Sequence, residues 1–268
     1  MSNKIKEFFE ENYIEGIVFD LDGTLVDTSK WLKYMYKEIS SKIVPYINKE
    51  YNLQVNVEDF TQAYYQAEVL EYKNGNVNFV TRFSATLSHI SNTLKLNMDT
   101  NALARMFLNN VSQIYTLSPD PCEGTLKLLN TLLQFTNVAI CTHSGKDWTK
   151  IKMDHLKSKY KEKYGDIPIL HSHYIPLNEP KDASEWINAS KKINSTPENL
   201  IAVGDSFTAD IIPSVEAGYR YIVWITKDSI DKEQDIKELR NIGCKITTTE
   251  HIKELEGLLT SNQPFEDT

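Results

Sequence analysis

Two carboxylates one residue apart, Asp20 and Asp22, close a short apolar run in the stretch GIVFDLDGTLVDT. A carboxylate at the mouth of a core strand is costly to bury alone, so the pair calls for a cation, a shared proton or solvent. Magnesium would serve, because it takes oxygen ligands and is held by one or two carboxylates with phosphate and water. The same letters also write a simple turn, in which an Asp caps and Gly23 supplies a positive φ. The rest of the chain has to separate these readings.

Further polar residues finish apolar runs downstream: Thr142 after Val138-Ala139-Ile140-Cys141, and Asp205 after Leu200 to Gly204, with Asp210 five residues on and Lys181 between. Phosphoryl transfer needs an in-line nucleophile, neutralised charge and fixed donors around the phosphate oxygens. Asp20 is a candidate nucleophile, since a carboxylate can form an aspartyl phosphate. Asp22 could protonate the leaving oxygen and then take a proton from water. Thr142 and the amides after it offer donors at a helix start, Lys181 offers a positive charge, and Asp205 and Asp210 complete a magnesium site.

With these residues in place, the chain resembles the haloacid dehalogenase superfamily. Four ordered motifs carry the resemblance: Asp20-Leu21-Asp22-Gly23-Thr24, Thr142 in AICTHSG, Lys181 in NEPKDAS, and Gly204-Asp205-Ser206-Phe207-Thr208-Ala209-Asp210. The resemblance implies Asp20 and Asp22 as catalytic residues, and Thr24, Thr142, His143 and Lys181 around the phosphate. It also implies Asp20, Asp22, Asp205 and Asp210 at a magnesium ion, and a type 1 helical cap. Family members often carry Asn after the second-motif Thr and Pro after the Lys, where this chain has His143 and Asp182. Members that handle phosphate usually keep the second Asp, so Asp22 implies a phosphatase acting on a small phosphorylated metabolite. A phosphomutase of the same family, and a binding protein that has kept the fold without turnover, are the alternatives.

The elements that must position these residues are legible as periodicity. Residues 3 to 13 form a short amphipathic helix before the first strand. From Ser29 to Leu117 only helical spacings appear: Trp31, Tyr34, Met35 and Ile39, with Pro45 as a kink or break; Phe60, Tyr64, Ala67 and Leu70 after Asn56 as N-cap, ended by Lys73 to Asn76; Phe83, Leu87, Ile90 and Leu94; and Leu103, Phe107, Val111 and Ile114 after Asp99 or Thr100. This is a bundle of about ninety residues inserted after the first strand. Beyond Pro119 strands and helices alternate, with strands at Val138–Thr142, Ile167–His171, Leu200–Asp205, Tyr221–Ile225 and Cys244–Thr247, and helices at 182–193, 208–217, 231–242 and 251–259. The fold class is therefore α/β, a doubly wound Rossmann-like parallel sheet with an inserted α-helical cap domain. Residues 1–28 and 118–268 form the core and 29–117 the cap.

Bulk properties narrow the function. The 268 residues are 41% hydrophobic and 25% charged, with a net charge of -8, which argues against a nucleic-acid binder. Three widely spaced cysteines, Cys122, Cys141 and Cys244, read as reduced thiols, and no apolar run reaches membrane-spanning length or looks like a signal peptide. The expected setting is the cytoplasm, with no membrane partner and a monomer as compatible as an oligomer. His171 and His173 alternate and could pair on a metal, but read more simply as a half-exposed strand face. The lysines from Lys146 to Lys163 read as a solvated helix face, and Arg82 is a candidate cap contact to substrate.

Overall fold

Ile17, Val18 and Phe19 lie in β1 (Gly16–Phe19), buried on both faces as an unalternating apolar run requires. The computed structural model describes every residue except 1, 75, 77, 227–232, 242, 262–264 and 266–268. The chain divides into two units, Met1–Asp27 with Pro119–Thr268, and Thr28–Ser118. No described helix is long and apolar enough to cross a membrane.

The first unit starts with α1 (Ser2–Glu11) and is built on a six-stranded parallel sheet. With β2 (Asn137–His143), β3 (His171–Ile175), β4 (Leu200–Gly204), β5 (Tyr221–Ile225) and β6 (Lys245–Thr249), its order is β3-β2-β1-β4-β5-β6. Phe19 is in register with Ile140 on one side and Val203 on the other. The chain moves outward from β1 through β2 to β3, then returns to lay β4 against the other edge of β1. That reversal puts the carboxyl ends of β1 and β4 at the switch point, where open parallel sheets bind ligands.

Each face of the sheet has its own apolar core. One joins Ile5 and Phe9 of α1 to Ile17 and Phe19, to Leu128, Leu129 and Leu132 of α6 (Thr125–Leu132), and to Met153, Leu156 and Tyr160 of α7 (Lys146–Tyr164). The other joins Val18, Ala139 and Cys141 to Trp186 and Ala189 of α8 (Ala183–Lys191) and to Ile222 and Trp224. The chain closes through α9 (Ile212–Glu216), α10 (Glu233–Asn241) and α11 (Leu255–Leu259). The helix expected over 231–242 begins and ends in residues outside those described. That expected over 208–217 opens instead as a π-helical turn, Phe207–Ile211, and that over 251–259 as a 3₁₀ turn, Ile252–Glu254.

The strand expected at Ile167–His171 lies further on, at His171–Ile175, and Ile169 is 77% exposed. β3 is an edge strand paired only with β2, so its residues are not buried on both faces and an apolar run is not its signature. His173 on it is paired with Glu185.

The second unit is helical: α2 (Thr28–Glu50), α3 (Val57–Lys73), α4 (Phe79–Thr93) and α5 (Thr100–Thr116). Pro45 neither ends nor divides α2. Ile39, Ile43 and Ile47 are buried along its stripe, and packing of that stripe outweighs the roughly 3 kcal/mol that an interior proline costs. Asn56 and Asp99 accept the first amides of α3 and α5 as N-caps do. Asn74 follows α3, while Gly75 lies outside the described residues.

Arg82, expected as a candidate substrate contact, is buried inside this unit. Its Nε donates to Glu68 Oε2 at 2.8 Å, one Nη donates to the Asn76 carbonyl at 3.1 Å, and the other donates to the Tyr115 hydroxyl. Burial pushes the Glu68 carboxyl up, against the pull of Arg82. Removing one partner strands a buried charge, whereas replacing both with apolar side chains removes the problem. Glu68→Leu is expected to destabilise by about 3–5 kcal/mol, and Glu68→Leu with Arg82→Met to recover most of that loss in denaturant unfolding. Additive losses would show that the pair is not what holds these helices.

Candidate active site

Asp20 directly follows β1, and its amide donates to the Val203 carbonyl at 2.8 Å, extending the β1–β4 pairing by one residue. The carboxylate is thereby fixed at the switch point. The chain then turns sharply: Gly23 takes φ 84°, and the amides of Leu25 and Val26 both donate to the Leu21 carbonyl. The turn and the acid pair thus coexist, the turn giving the two carboxylates different surroundings. Asp20 is buried; Asp22 is 26% exposed at its side chain.

Lys181 lies just before α8 and is buried. Its Nζ donates to Asp20 Oδ1 and to Asp210 Oδ1, each at 2.6 Å. Burial opposes the ammonium charge, but the two carboxylates overcome it and hold the Lys181 pKa above its ordinary value. Asp182 accepts hydrogen bonds from the Ser184 amide and hydroxyl as the N-cap of α8. That cap anchors the start of the helix directly behind Lys181.

Asp210 is buried in the π-helical turn and uses its second oxygen on the β4 loop, accepting from the amides of Asp205 at 3.1 Å and Ser206 at 2.9 Å. Room for that side chain comes from Gly204. A Cβ there would lie 2.3 Å from Asp210 Cβ and 2.6 Å from both Cγ and Oδ2. The glycine of the Gly-Asp motif is thus required by a close approach, not by a turn.

Carboxylate oxygens of Asp20, Asp205 and Asp210 lie within 4.8 Å of one another, the one such metal-competent group among the described residues. Burial pushes the Asp20 carboxyl well above its usual range; Lys181 pulls it down, and Asp210, Asp205 and Asp22 add to the rise. Asp20 Oδ2 is buried with no hydrogen-bond partner among the described residues. An oxygen-seeking divalent cation fits this donor set and would favour the ionised Asp20. Asp22 is not brought into the cluster. Its carboxylate is taken by Lys152, whose Nζ donates to Oδ1 at 2.7 Å and to Oδ2 at 2.5 Å.

The remaining expected residues are Thr24, buried in the β1 turn, and Thr142 and His143, which end β2 ahead of α7. Thr24 Oγ1, Thr142 Oγ1 and His143 Nε2 are also buried without a hydrogen-bond partner among the described residues. Buried polar groups left unmatched by the protein are costly, and Tyr64 Oη, Thr86 Oγ1 and Thr149 Oγ1 share this condition elsewhere in the described residues. Cys141, next to Thr142 in the chain, is buried, and burial pushes its thiol up to about 12.

Lys152 is a site residue that composition concealed. It belongs to the lysine-rich segment expected to be solvated, yet it is 0% exposed. The signal was periodicity: Thr149, Lys152, Met153, Leu156 and Tyr160 are the buried stripe of α7, and Lys152 occupies one of its core positions.

The haloacid dehalogenase-like hydrolase family matches residues 14–218. The glyceraldehyde 3-phosphate phosphatase of Pyrococcus furiosus is 27% identical over 212 residues, 79% of this chain and 80% of that protein. Among solved structures, YfnB of Bacillus subtilis, assigned as a HAD hydrolase and bound to magnesium, aligns with TM-score 0.54 and 15% identity over 92% of this chain and 99% of that one. A Thermotoga maritima protein assigned as a β-phosphoglucomutase aligns with TM-score 0.55 and 15% identity over 92% and 98%. At this identity the solved structures speak for the fold alone.

The close approach at Gly204 gives a direct test. Gly204→Ala must push Asp210 away from Lys181 and the loop amides, and is expected to destabilise by about 1–3 kcal/mol in denaturant unfolding. An unchanged midpoint would show that the loop yields without disturbing Asp210.

Proposed function

Since this chain belongs to the haloacid dehalogenase-like hydrolase family, we propose that it is a magnesium-dependent phosphatase of a small phosphate monoester, acting through an aspartyl phosphate on Asp20. The observation that carries this reading is the meeting of Asp20, Asp205 and Asp210, whose carboxylate oxygens lie within 4.8 Å of one another, with Lys181 donating to two of them. Such a cluster suits a divalent cation and, beside it, the phosphate that Asp20 would attack. The phosphatase name of the Pyrococcus relative supports the same chemistry.

Asp20, Asp205 and Asp210 would hold the magnesium ion, which when bound neutralises charge on the phosphate and on Asp20. Asp20 attacks phosphorus; the P–O bond to the leaving group breaks as Asp22, protonated on one oxygen with Lys152 on the other, gives its proton to the departing alkoxide. Lys181, already held against Asp20 and Asp210, keeps the nucleophile oriented and favours its ionised form against the burial that opposes it. Thr24, Thr142 and His143 bind the phosphate oxygens. Asp22, now a carboxylate, takes a proton from the water that attacks the aspartyl phosphate, releasing phosphate and restoring Asp20. The helical unit, inserted directly after the Asp22 turn, is assigned the role of cap and selector of substrate. Three free cysteines suit a cytoplasmic setting.

The two carboxylates separate by leaving group. Asp20→Asn is expected to abolish phosphate release from every ester, because no covalent intermediate can form. Asp22→Asn is expected to lose about 10²–10⁴-fold in the first step with alkyl esters, and far less with an activated aryl phosphate, which departs without a proton. Rapid-quench assays on both esters decide: equal first-step losses would remove Asp22 from the general-acid role. Scoring free phosphate and isomerised product across sugar phosphates separates hydrolysis from a mutase.

Metal binding has a readout independent of turnover. The folded-state pKa of Asp20 is raised, so ionising it destabilises the apoprotein; that penalty is absent below the unfolded value near 3.9 and full above the folded one. A cation at Asp20 relieves it. Magnesium is therefore expected to raise the melting temperature, and by more at about pH 8 than at about pH 5. No shift at either pH would count against the magnesium site.

A further inference from the structure

Packing alone does not call for a charge where the Lys152–Asp22 pair sits. Asp22 reaches solvent and could be satisfied by water, whereas Lys152 is fully buried on a helix face shared with Thr149, Met153, Leu156 and Tyr160. A methionine or leucine at that position would fill the same core without taking a charge out of water, and buried ion pairs generally gain little over such a replacement. The ammonium is also closely seated. Besides both oxygens of Asp22, it donates to Ser144 Oγ at 3.0 Å, and it stands 4.1 Å from the centre of the Trp148 ring. Ser144 is buried and follows Thr142 and His143 at the end of β2. Lys152 thus ties the β1 turn, which bears Asp22, to the phosphate-facing end of β2.

We propose that Lys152 is a positioning residue for Asp22: seated between Ser144 and Trp148, its ammonium fixes the carboxylate at the place from which Asp22 serves the water attacking the aspartyl phosphate. This role rests on the phosphatase reading above. In that step the water oxygen bonds to phosphorus, the bond from phosphorus to Asp20 breaks, and the water proton passes to a carboxylate oxygen of Asp22. Bidentate pairing leaves that oxygen one orientation about the Asp22 side chain, and a misplacement of about 1 Å at a reacting centre can cost 10²-fold.

The test is a pre-steady-state assay on an activated aryl phosphate with magnesium, comparing wild type, Lys152→Met, Lys152→Arg, Asp22→Asn and the double variant Lys152→Met with Asp22→Asn. Lys152→Met is expected to melt no lower than wild type, to retain a burst of leaving group, and to lose about 10²-fold in the turnover that follows, with aspartyl phosphate accumulating. Adding it to Asp22→Asn is expected to change turnover by less than about threefold, because both act on one group. Lys152→Arg restores a charged donor and is expected to recover part of the turnover.

Equal loss of burst and turnover, or fully additive losses in the double variant, would overturn the positioning role while leaving the phosphatase reading intact. Absence of phosphate release by wild type from any ester would overturn that reading and this role together. Should Lys152→Met fail to fold, Ser144→Ala decides in its place. It keeps the ammonium but removes its buried acceptor, and must slow turnover after the burst by about threefold or more; a change in the burst alone overturns the proposal.

Discussion

Three segments far apart in the chain meet at one ammonium. Lys181 holds Asp20 from the end of β1 and Asp210 from beyond β4, and all three charges are buried. None could be buried alone, since stranding an unpaired charge in the interior costs several kcal/mol. The pairing therefore has to form as the sheet closes, and other features follow from it. Gly204 has no side chain because Asp210 passes over it, Asp182 caps α8 so that the residue before it is held, and the β4 loop donates its amides to the remaining Asp210 oxygen. One oxygen of Asp20 is left over, buried and without a hydrogen-bond partner among the described residues.

Much of this was legible in the residues alone, and the exceptions have physical reasons. β1, β2, β4 and β5 announce themselves because strands buried on both faces must be continuously apolar, and the resemblance read from four motifs is now a family membership. β3 lies later than the apolar residues before it suggest, because an edge strand carries no such run; its own residues alternate in exposure while the apolar Ile169 stays in solvent. Pro45 does not break α2, since local propensity yields to a well-packed stripe. Lys152 was hidden by composition. Among so many lysines it looked like one more solvated charge, and only its place in the helical repeat set it apart.

Two buried ion pairs in this chain illustrate opposite uses of the same chemistry. Glu68 and Arg82 sit within the helical unit, where the guanidinium also meets a backbone carbonyl and the Tyr115 hydroxyl, so its donors are spent on joining helices. Lys181, by contrast, faces a carboxylate that still has an unmatched oxygen. What separates structural charge from chemical charge is therefore less the burial than what remains unsatisfied after the pairing is complete. The Thermotoga and Bacillus structures share the fold at 15% identity and say nothing about these pairs.

The point where the chain leaves the core and re-enters it has a consequence of its own. Val26 bridges Pro121, the Asp27 amide donates to the Asp120 carbonyl at 2.9 Å, and the Cys122 amide donates to the Leu25 carbonyl at 2.9 Å. To the sheet, the whole of Thr28–Ser118 is a loop whose two ends are stapled together. The entropy of closing a loop grows only logarithmically with its length, so such an insertion can lengthen, shorten or be exchanged for about 0.6 kcal/mol per doubling. Inheritance can then treat the two parts separately, letting the helical insert diverge quickly while the register of β1, β2 and β4 stays under the tight constraint of its buried charges.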